Sequence, residues 1–152
     1  MPNADAEAIY ADRTTGRVFP DARAMVNAYI ERFAERSGRG MPPLDADGYS
    51  SLRKGSAVVG LNVIDDKGVL LLVAPVMPVP IARREELYRR LLELSFLHTE
   101  DAAFAVDEPK DEVFVRAYRR LSGLDYEEFE DLVTTVANVA DTWDDVLKRE
   151  FA

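Results

Sequence analysis

The hydrophobic patterning of this chain predicts an α+β fold, an antiparallel sheet with helices in the order α-β-β-β-α-β-β-α. Three observations carry that expectation. Helical-period runs stand near the start, in the middle and at the end of the sequence. Two pairs of strand-like runs are each joined by a short polar turn. Strands and helices never alternate in the βαβ rhythm that parallel sheets require.

Residues 1–20 show little sustained periodicity and contain Thr14-Thr15-Gly16. They read as an arm, in part helical, that docks on the domain or on a neighbour, leaving residues 21–152 as one domain. From Asp21 the period is helical: Met25, Tyr29 and Phe33 fall four apart with Val26 and Ile30 beside them. Asp21 suits the N-cap, and Gly38 with Gly40 ends the run. Ser37 to Gly48 is a loop rich in Gly, Pro and Asp.

Three strands are expected next, at Tyr49–Arg53, Ala57–Ile64 and Val69–Val76. Asp65-Asp66-Lys67-Gly68 makes the hairpin turn between the second and third, with Gly68 free to take positive φ. Pro75, Pro78 and Pro80 should stop the sheet, because proline cannot donate to a ladder. A helix from about Ala82 to Phe96 follows. A second hairpin then pairs Ala102–Val106 with Val113–Arg120. Asp125 and Glu128 have capping-box spacing and open a long helix to about Phe151. Its apolar stripe is Phe129, Leu132, Val133, Val136, Ala140, Trp143 and Leu147.

Composition narrows the function. With 152 residues, 47% hydrophobic and 31% charged, the chain has the size and character of one globular domain. The net charge of −9 repels phosphate backbones and anionic lipid, so nucleic-acid and membrane docking are not expected. The absence of cysteine removes disulfides, thiolate metal sites and cysteine nucleophiles, and fits a reducing compartment. Met1–Glu7 is polar and acidic, unlike a secretory signal, and the apolar stretch Val69–Pro80 is too short and proline-rich to span a bilayer. A cytoplasmic location is the expectation.

Catalytic chemistry finds no support. The one histidine, His98, has no Gly-x-Ser-x-Gly elbow to serve, and neither nucleotide-binding glycine motif is present. The acidic runs at Glu127–Asp131 and Asp141–Asp145 lack the register of a calcium loop. No catalytic residue, metal or cofactor is expected.

Two features stand out as apolar surface in excess. Advancing about 100° per residue from Leu87 puts Leu94, Leu87 and Leu91 between roughly −20° and 40°. The same rotation puts Tyr88, Leu92 and Phe96 between roughly 100° and 180°, nearly doubling the arc that an ordinary surface helix buries. In the strand Val69–Val76, both alternating sets are apolar. In the last strand, Phe114, Arg116, Tyr118 and Arg120 share the face opposite Val113, Val115 and Ala117. Interleaved aromatic and arginine side chains are favoured at protein interfaces. These seven residues, Tyr88, Leu92, Phe96, Phe114, Arg116, Tyr118 and Arg120, are therefore the expected dimer or partner surface.

Several segments also carry a family resemblance. Gly55-Ser56-Ala57, Glu86–Leu94, Phe104-Ala105-Val106-Asp107 and Ala140–Leu147 running on to Phe151 together resemble the bacterial YbjN-like proteins. Those share a fold with type III secretion chaperones of the Tir-chaperone kind. The resemblance covers about residues 49–151. It implies a homodimer with an α-β-β-β-α-β-β-α protomer that binds other proteins, the secretion-type members holding an extended partner segment. Its YbjN side implies a regulatory role in sensory transduction. Ser95 stands where similar proteins often carry Asn, the segment from His98 to Ala103 is longer and more acidic than theirs, and the arm has no counterpart.

The expected function is thus a non-catalytic, homodimeric adaptor or chaperone-like protein that binds another protein through exposed apolar surface. The alternative is a small-molecule-sensing regulatory domain with a pocket between sheet and helices lined by Phe104, Phe114 or Trp143.

Overall fold

The computed structural model describes residues 8–152, so the acidic stretch Met1–Glu7 lies outside the described residues. A small hairpin comes first, β1 (Ala11–Asp12) and β2 (Arg17–Val18), followed by α1 (Ala22–Ser37). Then come β3 (Tyr49–Lys54), β4 (Ala57–Ile64), β5 (Val69–Pro78), α2 (Arg84–Leu97), β6 (Ala103–Asp107), β7 (Glu112–Arg120) and α3 (Tyr126–Phe151). From α1 onward the order is the one the patterning predicts.

The caps of α1 are as the sequence suggests. The Asp21 carboxylate accepts the Ala24 N–H, and Gly38 closes the helix in the left-handed region at φ 70°. At α3 the expected capping box does not form. Asp125 is the N-cap residue but makes no side-chain cap bond. Its carboxylate instead accepts the backbone N–H of Arg13 at 2.8 Å and receives the Arg13 guanidinium at 3.1 Å.

Strands β3 to β7 form one antiparallel sheet in the order β3-β4-β5-β7-β6. Because side chains alternate, the register sorts them onto two faces. Leu52, Val59, Leu61, Val63, Leu70, Leu72, Ala74, Val115 and Ala117 lie on the inner face and are buried. The three helices form a layer over that face. α3 crosses β4, β5 and β7 and buries Phe129, Val133, Val136 and Leu147, each contributing roughly 1.5–3 kcal/mol. On one side of it packs α1, whose Tyr29 ring meets Tyr126 and Phe129 while its hydroxyl donates to the Leu124 carbonyl at 2.7 Å. On the other side α2 buries Leu87, Leu91 and Leu94 and is tied to α3 by Arg83 and Arg90, which both reach Glu150.

Two further expectations need correction. Strand β5 runs past Pro75 to Pro78, because an irregularity between Pro75 and Met77 lets the chain resume pairing with β7 beyond the missing donor. The arm carries a hairpin in its described part and no helix: Gly16, at φ 74°, donates its N–H to the Asp12 carbonyl and closes the turn. It docks on its own domain. Arg13 pairs with Asp125, the buried Asp12 lies 3.5 Å from Arg32, and the ring of Phe19 meets Tyr29 edge-on.

Candidate protein-binding surfaces

The first surface is the outward arc of α2. Leu92 is 74% exposed and Phe96 82% exposed, one helical turn apart. Tyr88, placed on the same arc by the helical rotation, is instead half-buried against the core. The reason is local: Ser95, on the same side of the helix, accepts the Phe104 N–H from the edge of β6 and draws that shoulder toward the sheet. Two exposed side chains extend the patch beyond the sequence reading, Leu97 in the last turn and Ile81, 99% exposed just before the helix. The Ile81 signal was its place after Pro80, outside any periodic run.

The second surface is the outer face of the sheet. Along β7 it carries Phe114, Arg116, Tyr118 and Arg120, and beside them on β5 lie Val69, Leu71, Val73 and Pro75. Phe114, Leu71 and Val73 are half-buried, whereas Arg116 and Arg120 are exposed and Tyr118 is 53% exposed. Leu71, Val73, Ala105, Phe114 and Arg116 line a shallow depression of about 340 Å³. All four sequence-predicted residues of β7 therefore share one face, as alternation requires, and the α2 residues form a separate patch.

Electrostatics distinguishes the two. Most arginines in this acidic chain are spent on carboxylates: Arg13, Arg23, Arg32, Arg36, Arg83, Arg84, Arg89, Arg90 and Arg119 all have an acidic partner within 4 Å. On the outer sheet face Arg116 lies over the Tyr118 ring at 4.7 Å and Lys110 over Phe114 at 5.9 Å.

A third site holds the scaffold together. The turn between β3 and β4 docks on α3, where the Ser56 hydroxyl donates to Asp141 at 2.9 Å and lies 2.7 Å from the buried Asp144. The Ser56 hydroxyl and N–H hold the Asp141 carboxyl below its ordinary range. Gly55 stands at φ 59°, and a Cβ there would meet Asp141 Oδ1 at 2.7 Å. The two segments Gly55-Ser56-Ala57 and Ala140–Leu147 thus meet in space. At Asp125, burial raises the carboxyl, but the Arg13 N–H and guanidinium outweigh it and hold it below the usual carboxylate range. Burial raises the Tyr126 hydroxyl to about 12.

His98 ends α2, with its ring edge-on to Trp143 at 6.1 Å. Phe104 and Trp143 pack against the core on the inner side of the sheet, while Phe114 faces the outer side, so these three do not line one pocket. Among the described residues no helix is long and apolar enough to cross a membrane.

Comparison with solved structures matches this architecture. The ExsC–ExsE complex aligns with TM-score 0.68 and 27% identity over 84% of this chain and 96% of that chain. The heterodimeric ExoU–SpcU complex from the type III secretion system of Pseudomonas aeruginosa aligns with TM-score 0.60 and 15% identity over 80% and 96%. YbjN from E. coli aligns with TM-score 0.51 and 13% identity over 78% and 90%. For the last two the likeness is one of fold. No curated protein matches the chain. The model of the Tir chaperone protein (CesT) family matches residues 28–144. Sequence, helix layer and sheet order thus agree that the chain belongs to the Tir chaperone protein (CesT) family, as a partner-binding, non-enzymatic chaperone.

Proposed function

We propose that the chain acts as a homodimeric chaperone in which the outward arc of α2 closes the dimer and the outer sheet face holds a partner protein. Residues 21–152 form the working domain, and the docked hairpin is an addition to it. The observation that carries the reading is apolar surface left over once the core is complete: Leu92, Phe96, Leu97 and Ile81 at α2, and Leu71, Val73, Phe114 and Tyr118 on the sheet. Soluble monomers rarely leave such patches bare. The neighbours support the partner half of the reading, since ExsC is seen with ExsE, and SpcU with ExoU. The cysteine-free composition supports a cytoplasmic place of action.

Light scattering tests the dimer. The wild-type chain should elute at twice the mass of one copy, and the pair Leu92→Asp with Phe96→Asp should elute as a monomer with an unchanged circular-dichroism spectrum. Both side chains are already exposed, so the fold itself should tolerate the change. A wild-type monomer, or a dimer indifferent to the substitutions, would sink the α2 assignment.

A further inference from the structure

Resting on that reading of the outer sheet face, we infer that the face selects an acidic, apolar segment of extended chain. Of the 15 arginines in this acidic chain, nine lie within 4 Å of a carboxylate among the described residues and six do not. The outer face holds three of those six, Arg53, Arg116 and Arg120. Arg53 on β3, Arg116 and Arg120 on β7, and Lys110 in the adjoining turn make no ion pair within 4 Å among the described residues, in contrast to the nine arginines paired elsewhere. The carboxylates that the strand register puts on this face, Asp107 and Glu112, sit opposite each other at one end, next to Lys110. The middle and the far end are positive.

Spacing sets the geometry of the ligand. Arg116, Tyr118 and Arg120 are successive same-face residues of one strand, so the two guanidinium-bearing positions stand about 13 Å apart with an aromatic between them. An extended segment reading Glu-x-Phe-x-Glu repeats its own carboxylates at the same spacing. It offers one acid to each arginine and an apolar side chain to Tyr118 and Leu71, which face each other between them. Desolvated arginine–carboxylate pairs and a central apolar anchor are the two features that give an interface affinity and specificity. Stacked nucleic-acid bases fit less well. Arg116 already lies over the Tyr118 ring, and the body carries a net charge of −9.

Fluorescence anisotropy with three labelled synthetic peptides tests this: a repeat of Glu-x-Phe-x-Glu, the same repeat with Lys for Glu, and the same with Ser for Phe. The first should bind the wild-type chain, and its affinity should fall about tenfold as salt rises from about 50 to about 300 mM. Arg116→Glu with Arg120→Glu should weaken it at least about tenfold and make the Lys peptide the better ligand. Arg116→Gln with Arg120→Gln is the second variant should the reversal disturb folding, and it should weaken the Glu peptide without recruiting the Lys one. The inference is overturned if no peptide binds, if the Lys peptide binds the wild type as well as the Glu peptide, or if an oligonucleotide competes more strongly than either. It is also overturned if the arginine variants dissociate a dimer, which would make this face an interface between copies. None of these outcomes depends on the α2 variants, so the dimer reading stands or falls by itself.

Discussion

Adjacent residues of β5 should respond very unequally to the same truncation. Leu72 is fully buried on the inner face beneath α3, whereas Leu71, its neighbour, lies half-buried on the outer face. Leu72→Ala removes apolar area and leaves a cavity that a packed helix layer cannot collapse into, for a loss of about 3 kcal/mol within the usual 2–5 kcal/mol range. For a chain near 150 residues that lowers Tm by about 6–12 °C. Leu71→Ala opens no cavity and should cost less than about 1 kcal/mol. Urea unfolding followed by the fluorescence of Trp143, the sole tryptophan, reads both through the midpoint at constant slope. Equal losses for the two variants would refute a sheet covered on one side only. An additional Leu71→Ala loss that fades on dilution would point to a second copy covering the face.

Three further outcomes follow from the scaffold. Gly55→Ala should cost about 1–2 kcal/mol in backbone strain at φ 59°, plus crowding against Asp141. The cost should shrink, not vanish, in an Asp141→Ala background, and an unchanged cost would remove Asp141 from the explanation. Ser56→Ala should let the Asp141 carboxyl rise toward its ordinary value in an NMR pH titration, since the Ser56 donors depress it. Arg13→Ala should do the same to Asp125 and release the hairpin, so trypsin should cut after Arg17 faster while the domain stays intact. In the wild type, the Arg13–Asp125 contribution is fully present above the ordinary carboxylate range near pH 4 and is lost as pH falls through the lowered folded value. A hairpin that loosens at neutral pH instead would contradict this assignment.

Much of the fold was legible because its signals are local and periodic. The capped α1, the 65–68 turn and the stripe of α3 are read directly from residue spacing. The outer-face residues Phe114, Arg116, Tyr118 and Arg120 followed from alternation alone, as did the exposure of Leu92 and Phe96 from helical rotation. What was missed depends on contacts far apart in sequence. The arm hairpin has two-residue strands with no measurable period, and only the Thr14-Thr15-Gly16 turn hinted at it. Asp125 had a capping-box sequence, yet Arg13, over a hundred residues away, took its carboxylate. Tyr88 turned inward because of a hydrogen bond between Ser95 and β6, and β5 outran Pro75 by an irregularity that no propensity encodes. The meeting of Ser56 with Asp141 and Asp144 likewise joins segments that only the tertiary fold brings together.

The bare outer face of the sheet is the claim on which the binding account depends, and the cysteine-free chain makes it directly measurable. Single substitutions Tyr118→Cys and Ala117→Cys place one thiol on each face of β7, at positions that are 53% and 4% exposed. Reaction with a thiol reagent in dilute native protein should be fast at position 118 and limited by unfolding at position 117. Equal protection at both positions in the dilute, unliganded chain would show that the face is covered, and would contradict the account.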